Sequence, residues 1–290
     1  MITRRSFSAG LAGSIASASA FAARFTKPLG VQLYTVRDVM PKQPKETIQE
    51  IAKIGFKEIE GTWAGFENVL PMLREAGLKP VSLHVPGALA TGNWKAWGSD
   101  PMTWEQVAAK VKGWGIPYMV IPYVRPDERG KTLDHYRKFS DELNKGGEAA
   151  AKMGLKLAYH NHAFEFAPME GSSPFQVMME RTTAKVGLEM DVFWVTVAGQ
   201  DPLALLGKYK GRVPLVHLKD MAKGTANRYD ERVERTAFKE VGNGTLDFGK
   251  ILKAGRAAGV VHYFVEQDQC PGNPLDSLRQ SYQAVRKLAL

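Results

Sequence analysis

From Pro28 onward, short apolar runs rich in β-branched and aromatic residues alternate with longer stretches whose apolar positions recur at i, i+3 and i+4. Eight such runs can be read: "LGVQLYTV", "KIGFKEIE", "EAGLKPVSLH", "GWGIPYMVIPY", "KMGLKLAYH", "KVGLEMDVFW", "RVPLVHLKD" and "AAGVVHYFVE". Several open with a glycine just after a helical stretch, where a residue of positive φ is favoured. The helical spacing shows in Ile48, Ile51 and Ala52, and again in Leu278, Tyr282 and Val285. Parallel strands need helical crossovers, so eight βα units in about 260 residues predict a (β/α)8 TIM barrel over residues 28–290. A doubly wound open sheet is the alternative, but no G-x-G-x-x-G turn follows any run.

The polar residues gather at the carboxyl ends of these runs, which in a TIM barrel form the active face. Run three ends with His84, run five with His160 and His162, run six with Asp191, run seven with His217, Lys219 and Asp220, and run eight with Glu266 and Asp268. Period-two alternation puts His160 with His162, His217 with Lys219, Glu189 with Asp191, and Glu266 with Asp268. Carboxylates converging on a lumen repel one another unless a cation sits among them. A divalent metal resolves this, with Glu165, Asp191, His217 and Glu266 as its expected ligands. So oxygen-rich a set suits Mn²⁺ first, and Mg²⁺, Zn²⁺, Co²⁺ or Fe²⁺ are compatible with it. His262, deep in its run, reads as a core histidine, and His135 as a surface one.

Composition adds compartment. The chain has 290 residues, 44% hydrophobic and 24% charged, enough to bury a full core. Residues 1–23 read as a cleavable signal: Arg4 and Arg5, a small-residue apolar run, and Ala20-Phe21-Ala22 where cleavage would fall. The paired arginines before Ser6-Phe7 resemble the twin-arginine motif, so export of a folded protein to the periplasm is expected. Cys270, the one cysteine, leaves no intrachain disulfide. The net charge of +9 falls to +7 without Arg4 and Arg5, since residues 1–22 hold no acid. That excess is dispersed among acids, which argues against a nucleic-acid stripe. No later segment is long and apolar enough to predict membrane association beyond export.

In order and spacing, "GVQLYTVRD", "GFKEIEG", "YHNHAFEF", "LEMDVFW", "VHLKD", "VGNGTLDF" and "VEQD" resemble the xylose-isomerase-like TIM-barrel superfamily of sugar isomerases and epimerases. The resemblance implies one divalent ion held by Glu, Asp, His and Glu, with Asp191, His217 and Glu266 matching the pattern. Ketose 3-epimerases carry the first Glu within strand five, about where Ala158 stands. The inosose-dehydratase-like branch, with its H-x-H strand end, points instead to Glu165 in the loop beyond.

The resulting expectation is an isomerase or epimerase that polarises a keto-sugar carbonyl on the metal through an enediolate. Glu165 and Glu266 form the proton-transfer pair, with His160, His162 and Lys219 as further acid–base groups. His84, Gln32, Trp194 and Asp268 contact the sugar. A dehydratase or lyase acting on a 3-keto-glycoside or inosose-like substrate is the alternative, and a non-catalytic carbohydrate-binding barrel is a reading of another class. The partner is a small-molecule sugar, and a homo-oligomer stays open. An endonuclease-IV-like DNA repair enzyme shares the barrel but needs more His and Asp ligands for three metals than can be placed.

Overall fold

All eight apolar runs become strands of one closed barrel. The computed structural model describes residues 24–98 and 100–289, and the expected signal lies outside the described residues. The strands are β1 (Gly30–Gln32), β2 (Glu58–Thr62), β3 (Lys79–His84), β4 (Tyr118–Ile121), β5 (Lys156–His160), β6 (Val186–Asp191), β7 (Leu215–Leu218), β8 (Asp220–Met221), β9 (Phe238–Lys239) and β10 (His262–Val265). β1 to β7 and β10 close in chain order with every pairing parallel, whereas β8 and β9 form a separate antiparallel pair. That hairpin, in the connection from β7 to β10, has no apolar run long enough to announce it.

The crossovers are helices, as parallel pairing requires. The first, Pro44–Ile54, buries Ile48 and Ile51, and the last, Pro274–Lys287, buries Leu278 and Val285, following the spacing seen in the sequence. At the junctions, Gly77 and Gly154 take φ of 70° and 75°, which lets the chain turn from helix into β3 and β5. Phe25 also joins the core, packing edge-on against Tyr263. Among the described residues no helix is long and apolar enough to cross a membrane.

Two apolar layers support the site. The larger core lies between the strands and the helices; a smaller cluster of Val81, Tyr118, Val120, Ala158, Leu215 and Phe264 is separate from it. Alternation along β4, β5, β7 and β10, with a register shift against β2 that leaves Val81 unpaired on β3, turns this second cluster into the lumen, where it plugs the barrel below the polar strand ends. Gly30 makes room for it, because a Cβ there would run into the Phe264 ring. Ala158, proposed above as the counterpart of an in-strand glutamate, belongs to this plug and lies a layer too deep for that role.

Candidate active site and metal centre

Above the plug, β5, β6, β7 and β10 bring His160, Asp191, His217 and Glu266 together, with one donor atom from each lying within 4.8 Å of the others. All four are buried. Asp191 divides its oxygens: Oδ1 caps the helix Val192–Val197 through Phe193 N and Trp194 N, at 2.9 and 3.2 Å, and Oδ2 is left for the site. The cap fixes the carboxylate's aim, since a side-chain oxygen at this position satisfies otherwise unpaired N–H groups.

His160 is set in the same way. Its Nδ1 lies 3.0 Å from the carbonyl oxygen of Pro122, which can only accept, so Nδ1 carries the proton. Nε2 then faces Asp191 Oδ2 at 3.4 Å and has no hydrogen bond of its own. Two acceptors face each other there, and a second proton on the ring or a cation between them relieves the repulsion. A donor set of two carboxylates and two imidazoles, with one imidazole already giving its other N–H to a carbonyl, fits a divalent transition metal.

Lys219, just beyond β7, is buried with its ammonium 2.8 Å from Asp191, 2.7 Å from Glu266 and 3.0 Å from Asp268. Burial works against its charge, but these carboxylates prevail and hold its pKa well above the usual lysine value. Burial likewise pushes Glu266 and Asp191 up, and Lys219 with the surrounding histidines outweighs it, keeping both carboxyls well below their ordinary range. Asp268 goes the other way: burial raises it despite Lys219. His162 stands beside Trp194, Tyr123 and His160, with ring centroids 5.3, 4.8 and 4.9 Å away. Burial and then the charges of His160 and Lys219 hold its pKa well below 6.5, so it is a neutral base.

The structure does not bring all the expected site residues together. Glu165 lies outside the cluster of His160, Asp191, His217 and Glu266. The turn Phe164–Phe166 buries both phenylalanines and carries Glu165 behind the strand, where it accepts from Tyr159 Oη at 2.6 Å and His162 N at 2.9 Å. Tyr159 faces the helices, packing on Phe139, because it alternates with the lumen residues Ala158 and His160. His160 stands in the cluster where Glu165 was expected. Gln32 is fully buried and committed to protein groups, donating to Glu60 at 3.0 Å, so it is not at hand for a sugar. His84 is nearly as buried and lies between Glu60 and Glu189, 3.1 and 3.0 Å from its Nε2. Against the cost of burial these carboxylates raise its pKa to about 9.

The sequence reading missed Glu60 altogether and gave Glu189 no role. With His84 and His217 they form a second polar set below the first. Burial alone would raise Glu60, but His84 and His217 hold it well below the carboxylate range. Alternation from Asp191 already placed Glu189 on the lumen face; nothing local singled out Glu60 in "GFKEIEG".

A closed parallel barrel with a buried metal-ready cluster at its strand ends defines the class. The chain belongs to the family of xylose isomerase-like TIM barrels, whose model matches residues 48–288. An inosose dehydratase of Geobacillus thermodenitrificans (strain NG80-2) is 32% identical over 167 residues, 54% of this chain and 55% of the relative. The chain thus spans about half the length of the curated relatives it matches. A sugar phosphate isomerase/epimerase from Parabacteroides distasonis ATCC 8503 superposes with a TM-score of 0.72 over 94% of this chain and 98% of its own, at 22% identity. The IolI protein with a bound zinc atom does so with a TM-score of 0.66 over 89% and 96%, at 14% identity. At these identities the two structures speak for the fold alone.

Proposed function

We propose that this protein is a divalent-metal-dependent dehydratase or lyase that removes the proton beside the carbonyl of a keto-sugar or keto-polyol and expels a β-oxygen substituent. Compared with the isomerase or epimerase expected from the sequence, the observation that carries elimination is the position of Glu165. It sits behind β5 on Tyr159, so it does not pair with Glu266 across a substrate. Epimerisation needs matched acid and base groups on opposite faces of the reacting carbon, and the carboxylate pair expected for that is not formed. The match to an inosose dehydratase supports the same direction.

His160, Asp191, His217 and Glu266 would hold the ion, with zinc and manganese both suited to two imidazoles and two carboxylates. When bound, the ion supplies Lewis-acid polarisation of the carbonyl, which makes the neighbouring C–H acidic. His162, neutral and flanked by Trp194 and Tyr123, is placed to accept that proton. Lys219, charged and held by Asp268, is placed to give a proton to the β-oxygen as its C–O bond breaks, so that the group leaves as water or an alcohol. Glu266, at the lip of the set with 5% exposure, is a second proton acceptor. Trp194 lines the same wall, and its buried Nε1 has no protein partner, leaving a donor for a hydroxyl. Residues 1–23 are proposed to direct this activity to the periplasm by the twin-arginine route.

The test is a panel of keto-sugars, inososes and 3-keto-glycosides in D₂O with Mn²⁺ or Zn²⁺, followed by NMR. Deuterium should enter beside the carbonyl, with loss of water or aglycone. Exchange that yields only an epimer would move the reading to an epimerase. Absence of exchange on every substrate, with sugar still bound, would favour the non-catalytic barrel. Glu266→Gln and His162→Gln should each slow exchange by roughly 10²- to 10⁴-fold, the usual weight of a positioned acid or base.

A further inference from the structure

We propose that Glu60 is a positioning residue for the metal set: it holds the Nε2 proton of His217, so that Nδ1 is the nitrogen left to a cation between Asp191 and Glu266. The inference deepens the proposed function and rests on its metal reading.

Tyr34 N donates to Gln32 Oε1 at 2.9 Å, which settles the end of the Gln32 amide that carries oxygen. Nε2 is therefore the donor, directed to Glu60 Oε1 at 3.0 Å and His84 Nδ1 at 3.2 Å. His84 Nε2 lies between two carboxylates, 3.1 Å from Glu60 Oε1 and 3.0 Å from Glu189 Oε2, and so carries a proton. Gln32, Glu60 and Ser82 stand in register on β1, β2 and β3, and Ser82 Oγ donates to Glu60 Oε2. His217 Nε2 completes the group, 2.6 Å from Glu60 Oε1.

Glu60 is thus a fully buried carboxylate approached by four donors. An ionised carboxylate only accepts, so the contact with His217 requires the proton on Nε2. Nδ1 faces Glu266 Oε2 at 2.9 Å and Asp191 Oδ2 at 3.8 Å, so any proton it carries there is the one a bound cation would displace, leaving Nδ1 as the ligand nitrogen. Metal-binding imidazoles commonly give their other N–H to a carboxylate or carbonyl, which fixes tautomer and ring orientation. His160 does so through Pro122, and His217 does so through Glu60. The lower set of Glu60, His84, Glu189 and His217 is close enough to suggest a second ion. An ion there would have to displace the donors that already saturate Glu60, so the geometry assigns one ion per chain, in the upper set.

The experiment is equilibrium dialysis of the full chain against Zn²⁺ and Mn²⁺, with metal content and chelator competition measured for wild type, Glu60→Gln and Ser82→Ala. ¹⁵N-histidine NMR of the zinc-loaded wild type reads the tautomer. One ion per chain is expected, with the His217 proton on Nε2. Affinity should fall roughly 10- to 100-fold in Glu60→Gln, with unchanged circular dichroism, and stay near wild type in Ser82→Ala. Two ions per chain, a proton on Nδ1, or unchanged affinity in Glu60→Gln would overturn the inference. Should Glu60→Gln fail to fold, stoichiometry and tautomer in the wild type decide. A wild type that takes up no divalent ion defeats the proposed function as well, whereas one ion indifferent to Glu60 defeats only this inference.

Discussion

Glu165 shows how far a single residue can depart from its sequence neighbourhood. It follows H-x-H by three positions, yet a one-turn helix and two buried phenylalanines take it to the far side of β5. There, burial raises its pKa to about 7, although Tyr159 and the His162 amide favour the ionised form. In the unfolded chain the group titrates near 4.5, so between about pH 4.5 and 7 the folded state binds more protons than the unfolded one. Stability therefore falls as pH rises through that window and levels off above it, a contribution of about 3 kcal/mol. Urea unfolding at pH 5 to 8 should show this fall in the wild type and not in Glu165→Gln; parallel curves for the two would refute it. His160 was legible as a strand-end histidine, but its place in the cluster instead of Glu165 was not, because the contact that orients it is with Pro122, 38 residues earlier.

At the scale of elements, the connection from β7 to β10 is organised by one buried side chain. Asp220 accepts from Met221 N and Leu246 N on Oδ1, at 2.8 and 3.1 Å, and from Gly242 N and Gly244 N on Oδ2, both at 2.9 Å. The "VGNG" stretch can wrap so closely because a Cβ at Gly244 would collide with Asp220. Asp220→Asn turns one acceptor into a donor facing N–H groups. With charged hydrogen bonds worth about 1.5–3 kcal/mol each, the variant should lose about 3 kcal/mol in chemical denaturation. A loss below about 1 kcal/mol would show that the loop holds without it. The eight strands were readable because each is an apolar run of strand length between helical patterns. The β8–β9 pair was not, since two-residue strands leave no periodicity and depend on contacts across the loop.

At the scale of the molecule, five carboxylates (Glu60, Glu189, Asp191, Glu266 and Asp268) converge from three strands and their extensions around one lysine and three histidines. Lys219 and the histidines offset part of the carboxylates' mutual repulsion, and a divalent ion in the upper set would offset more. Saturating Zn²⁺ or Mn²⁺ at about a hundred times the dissociation constant should add about 2.7 kcal/mol. For a domain of this size that corresponds to a rise in Tm of roughly 5–10 °C. Differential scanning calorimetry should show the rise, its reversal by chelator, and its loss in His160→Ala. An equal rise in His160→Ala would place the ion elsewhere.

The sequence alone determined the barrel and the face on which its chemistry lies, because strand periodicity, helical spacing and the polar strand ends are local properties. It also named most of the residues that meet there: Asp191, His217, Glu266, Lys219 and His162. Only the tertiary structure decided which of them cluster within reach of one another, which nitrogen His160 turns into the site, and that Glu60 rather than a sugar occupies Gln32. Those choices depend on barrel closure and on register between strands far apart in the chain, where a shift of one residue reverses which side of the wall a side chain faces.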